Sequence, residues 1–138
     1  MPRFLCFTLF LLAIYGGLSE SEPSRRQDTS GSQAGDAIQE ITVSVMVPDL
    51  GWRVSIREVF VVGRELWVIS ALSRGEGMAG QMMTTVTDGV SLAAPPLPIK
   101  HFIVGKTWGW ENTEPYTFLS DTHAIASRLR QGQRLLSR

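Results

Sequence analysis

His101 and His123 have the widest chemical range of any side chains in this sequence, and the surroundings of each restrict it. His101 sits among apolar residues in Pro98–Val104, which suits a half-buried strand histidine better than a general base. His123 follows Asp121 by two positions. That pair supplies two ligands, whereas a metal site needs three or four. The sole cysteine, Cys6, lies in the apolar N-terminal run, and no Gly-x-Ser-x-Gly occurs, so a nucleophile with its base is missing. Gly75-x-Gly77-x-x-Gly80 spells a dinucleotide fingerprint by its letters. It joins two β-rich runs, however, and offers no helix N-terminus to a pyrophosphate. Glu58 and Glu65 face each other near the first hairpin, but as exposed charges beside a turn they imply no catalytic cleft. The expectation is a protein without catalytic residues, metal or cofactor.

The four tryptophans carry more weight. Trp52 and Trp67 fall in strand-like runs and are expected as core or cross-strand partners. Trp108 and Trp110 flank Gly109 in a polar loop. They are either anchors for a partner or a lid over the end of a sheet.

These residues need elements to position them. Residues 1–19 carry Arg3, the apolar run Phe4–Tyr15 and small residues before Ser19-Glu20, the three parts of a signal peptide. The alternative is an uncleaved membrane anchor, but the apolar run is shorter than the roughly 20 residues of a spanning helix, which favours cleavage, and no stable membrane span is expected after it. Residues 20–39 are rich in Ser, Gly, Gln and charge and read as a disordered linker. Residues 40–120 form the expected β-domain. Ile41–Val45 alternates strictly, Trp52–Val62 and Leu66–Arg74 make a hairpin about Gly63, and Pro98–Val104 is a further strand. Gln81–Leu92 reads as one strand or as two broken at Asp88-Gly89. From residue 121 to 138 a basic amphipathic helix is expected, with Ile125, Leu129 and Leu136 on its stripe and Gly132 weakening its middle. That helix either docks on its own domain or meets a partner or anionic surface. The fold class is mainly β: a small antiparallel β-sandwich or barrel with one C-terminal helix. The runner-up is a single sheet with the helix packed across it.

Thirteen basic and thirteen acidic residues leave zero formal charge, which points away from a nucleic-acid partner. A domain without thiols beyond its signal has no disulfide, which fits a bacterial periplasm or surface.

Gly51–Ile56, the hairpin, the Gly75–Gly80 loop and the closing Ile99–Val104 strand resemble the C-terminal domain of the PrcB protease-complex subunit family, over roughly residues 47 to 105. The same layout resembles the chagasin-like cysteine-protease inhibitors, which are immunoglobulin-like sandwiches. Their first loop, Asn-Pro-Thr-Thr-Gly followed by an aromatic, corresponds to Val47–Trp52, which keeps Pro48, Gly51 and Trp52 but not the threonines. Their glycine-rich second loop would fall at Gly75, Gly77 and Gly80. Their third, ending Arg-Pro-Trp, would fall at Lys106-Thr107-Trp108. The resemblance implies a secreted or periplasmic, non-enzymatic binding module, a protease inhibitor or regulator acting through loops. A structural or assembly component of the cell envelope is the alternative.

Strand counting sets a geometric condition on that reading. Pro48–Trp52 and Gly75–Gly80 are two strand lengths apart and share an end of the sheet. Lys106–Trp110 joins them if an odd number of strands separates Gly80 from Pro98. The expected protein-binding surface is then Pro48, Gly51, Trp52, Gly75, Gly77, Gly80, Lys106, Trp108 and Trp110.

Overall fold

The computed structural model describes residues 36–138. The expected signal peptide and most of the expected linker lie outside the described residues. Seven strands follow in order: β1 (Ala37–Val47), β2 (Trp52–Val62), β3 (Glu65–Arg74), β4 (Thr84–Ala94), β5 (Ile99–Val104), β6 (Thr117–Leu119) and β7 (Gln133–Ser137), with the helix α1 (Ala126–Gln131) between β6 and β7. They form a two-stranded ribbon, β1–β4, and a five-stranded sheet in the order β6-β5-β3-β2-β7. The architecture is mainly β, as the periodicity requires.

The ribbon lies over one face of the five-stranded sheet. Between them sits the larger core: Ile41, Val43, Val45 and Val47 of β1 against Trp52, Val54, Ile56, Val59, Val68, Leu72 and Ile103. The alternation of β1 turns its apolar residues inward and leaves Thr42 and Met46 outside. On β2 the inward set runs Trp52, Val54, Ile56, then Val59. The extra residue is absorbed by a bulge where the β2–β3 register shifts between Ile56 and Glu58. The opposite, outer face of the sheet carries a second cluster of Phe60, Val62, Trp67, Ile69 and Phe102, closed by Ile125. β3 is therefore covered on both faces, which explains its continuous buried run Leu66–Ser70.

Several sequence expectations change in detail. β1 starts at Ala37, inside the expected linker, because Ala37 pairs with Ala94 at the far end of β4. Gln81–Leu92 is not two strands: β4 runs unbroken through Asp88-Gly89, its register with β1 continuous from Thr84 to Ala94. The five-stranded sheet is mixed, not purely antiparallel. β4 departs into the ribbon, so β5 returns to lie parallel to β3, and β6 lies parallel to β5. Glu58 and Glu65 do not face each other, since Glu65 pairs with Val62 and Glu58 with Ile69.

The helix expected over residues 121–138 is shorter. A 3₁₀ turn at His123–Ile125 leads into α1, which ends at Gly132, and the chain continues as β7 along β2. A Cβ at Gly132 would lie 2.7 Å from the Val61 carbonyl oxygen and 2.9 Å from Val62 Cγ2. Gly132 is thus the point of closest approach where the chain turns from helix to strand. Ile125 and Leu129 dock on the outer face, whereas Leu136 packs on the larger core as part of β7.

Side chains stitch the ribbon to the sheet along two seams. On one, Asp88 of β4 accepts the Ile56 N–H at 2.8 Å and pairs with Arg138 Nη2 at 2.8 Å. Arg138 Nε also donates to the Ile56 carbonyl at 3.1 Å. On the other, the segment before β6 shields the free edge of β1. Tyr116 Oη accepts the Ser44 N–H at 3.3 Å, Glu114 Oε1 accepts the Met46 N–H at 2.5 Å, and Asn112 Nδ2 donates to the Met46 carbonyl at 2.9 Å.

Candidate functional site

Because β4 is a single strand, β3 and β5 run the same way and both end where β2 begins. The three loops therefore meet at one end of the sandwich.

In the first loop Asp49 bends the chain. Its Oδ1 accepts the Gly51 N–H at 2.8 Å, and its Oδ2 accepts Arg74 Nε at 3.1 Å, tying the loop to the end of β3. Desolvation pushes the Asp49 carboxyl up, but the Gly51 N–H and the Arg74 guanidinium outweigh it and hold the group below its ordinary value. The second loop is bound to the first through its backbone. Gly75 N–H donates to the Gly51 carbonyl at 2.9 Å, and the Gly80 carbonyl accepts Leu50 N–H at 3.1 Å and Met82 N–H at 3.0 Å. Between them lies a hollow of about 310 Å³ lined by Leu50, Gly51, Arg53, Gly75, Glu76 and Met78, among others.

The third loop leaves β5 through Gly105, whose φ of +95° and close approach to Leu72 exclude a side chain: a Cβ there would lie 2.4 Å from the Leu72 carbonyl oxygen. Trp108 stands edge-on to Trp52, ring centroids 5.0 Å apart at 81°. Its Nε1 donates to Asn112 Oδ1 at 3.0 Å. Trp110 lies 5.4 Å from Trp108. Lys106 Nζ donates to the Trp110 carbonyl at 2.6 Å and sits 5.1 Å from the Phe118 ring, closing the loop on itself.

The residues expected to form one surface are brought together but occupy different levels. Trp52 is 7 % exposed and belongs to the core. Trp108 packs against that core as a partial lid, and the Lys106 ammonium is engaged within its own loop. Pro48, Gly51 and Trp110 are half-buried, while Gly75, Gly77 and Gly80 stand exposed. The exposed apolar side chains around them were not singled out from sequence: Met78 is fully exposed, with Leu50 at 52 %, Met82 at 62 % and Met83 at 57 %. The signal that would have found them is the methionine run beside the glycines, Met78-Ala79-Gly80-Gln81-Met82-Met83. Large apolar residues in a segment too glycine-rich to bury them remain at the surface.

Elsewhere, the His101 ring stands 4.7 Å from Tyr116, and burial pushes its pKa down. Asp121 Oδ1 accepts the His123 backbone N–H at 2.8 Å, an ordinary turn contact. Among the described residues no three His, Cys, Asp or Glu groups are placed to hold a metal ion, and no helix is long and apolar enough to cross a membrane. No protein-family model, curated protein or solved structure matches the chain.

Proposed function

We propose that this chain is a secreted or periplasmic, non-enzymatic binding module that takes a protein partner on its loop end. The observation that carries the reading is the group of exposed apolar side chains, Leu50, Met78, Met82 and Met83, around a cross-bonded loop framework. Exposed apolar clusters mark interaction sites, and methionine suits them because its flexible thioether adapts to a partner's shape. Hydrogen bonds accepted by the Asp49 carboxylate and by the Gly51 and Gly80 carbonyls hold the first two loops in place, so little ordering entropy opposes association. The sequence resemblance to chagasin-like inhibitors makes a cysteine protease the first partner to assay. The alternative, a structural or assembly component of the envelope, would use the linker and the basic C-terminal segment, and is less favoured because the end of that segment pairs with β2 as β7.

The test is capture from the secreted and envelope fractions, followed by titration of the captured partner and of a cysteine protease. Each anchor commonly contributes about 2 kcal/mol, roughly a thirtyfold change in affinity. Leu50→Ser and Met78→Ser should each weaken binding by that order while leaving the melting temperature unchanged. Folded variants that bind as the unaltered protein does would rule out the loop end as the contact surface.

A further inference from the structure

The outer face of the five-stranded sheet collects cations on aromatic rings. Arg128 lies 5.6 Å from the Trp67 ring centroid, and Lys100 Nζ lies 5.7 Å from Trp67 and 5.4 Å from Phe102. Arg134 lies 5.6 Å from the Phe60 ring, with its Nε 3.5 Å from Glu58 Oε1. Beside it a hollow of about 220 Å³ is lined by Phe60, Ala126 and Leu129 below and by Glu58, Arg130 and Arg134 at the rim. Among the described residues, Lys100, Arg128 and Arg130 have no carboxylate partner. A chain with no net formal charge thus presents one face with a local positive excess.

We infer that this face is a docking surface for an acidic peptide segment of a partner protein, with a carboxylate held between Arg130 and Arg134 and an apolar neighbour on Phe60 and Leu129. Charge complementarity selects the partner. Guanidinium forks match carboxylates, and rings beneath Arg128 and Arg134 hold the cations in place before the ligand arrives. An anionic bilayer fits less well. Stable surface attachment combines cations with apolar side chains that enter the lipid, and the exposed large apolar residues lie chiefly at the loop end. This surface is separate from the loop end and does not depend on the function proposed for it.

The experiment is fluorescence anisotropy of the full chain with a labelled peptide of alternating glutamate and leucine, its glutamine counterpart, and phosphatidylglycerol vesicles, at low and high salt. The glutamate peptide should bind and the glutamine peptide should bind about tenfold more weakly or less, with affinity falling as salt rises. Arg130→Gln should weaken binding severalfold, and Arg130→Gln with Arg134→Gln about tenfold or more. Arg130→Gln removes no ion pair of the described fold, so an unchanged melting temperature will separate lost binding from lost structure. Absence of peptide binding at low salt, equal binding of the two peptides, wild-type affinity in the double variant, or vesicle binding without peptide binding would each overturn the inference.

Discussion

The His101 ring is half-buried beside Tyr116 on the inward side of β5, and its Nδ1 has no hydrogen-bond partner among the described residues. Burial therefore favours the neutral ring and lowers its pKa. The unfolded chain, titrating near 6.5, binds the proton first as pH falls. The contribution of neutral His101 is thus complete above about pH 6.5 and is lost as pH drops through the lower folded value. Asp88 behaves in the same sense at lower pH. Desolvation pushes its carboxyl up, but the Ile56 and Gly89 N–H groups and Arg138 prevail and hold it below its ordinary value. Its contribution is complete above about pH 4 and is lost as pH falls further. Melting temperature should therefore fall in two stages between pH 8 and pH 3. His101→Phe should flatten the stage just below pH 6.5 and leave the lower one. A slope there that survives the substitution would refute this assignment. The half-burial of His101 was readable from its apolar strand neighbours, whereas the role of Asp88 was not. Its partners Ile56 and Arg138 are 32 and 50 positions away, and locally Asp-Gly signals a turn.

β1 and the first half of β2 declared themselves by period 2, and the β2–β3 hairpin by the short glycine break between two β-rich runs. The C-terminal element did not, because Ile125, Leu129 and Leu136 fit a helical stripe although the first two and the last pack on opposite faces of the sheet. What separates them is Gly132, which looks from sequence like a weak point in a helix and is in fact the corner before β7. Gly132→Ala places a methyl group against the Val61 carbonyl and should destabilise the domain by about 1–3 kcal/mol in denaturant unfolding, as overpacking does. Gly109→Ala, at a position with nothing within 4 Å, is the matched control and should change stability little. Equal effects of the two substitutions would mean that the corner is not packed as described. At the loop end, strand counting made the convergence of the three loops legible on the condition that Gln81–Leu92 is one strand, which β4 meets. The depth of each side chain was not: Trp52 lies in the core with the half-buried Trp108 edge-on against it, and the methionines stand outside.

At the scale of the described domain the ribbon and the sheet are closed into one body without a continuous backbone ladder between them. That the strands would stack as a sandwich or barrel was readable from the alternation only against a single-sheet alternative. How β1 and β4 would be sealed was not, since the seals are side chains far away in sequence. The seam along β1 also works as a guard. An uncovered strand edge offers unpaired N–H and C=O groups to any other chain in extended form. In this domain Tyr116, Glu114 and Asn112 occupy those groups at Ser44 and Met46. Asn112→Ala combined with Tyr116→Phe strips two of the three guards while sparing the apolar contacts of the Tyr116 ring. Light scattering of the concentrated variant should then show more self-association than the unaltered protein shows under the same conditions, and equal scattering of the two would show that the edge needs no guarding. Resistance to aggregation in this domain would on this account reside in three polar side chains of one connecting segment, and a substitution there would leave the core untouched while opening an edge to strand-by-strand assembly.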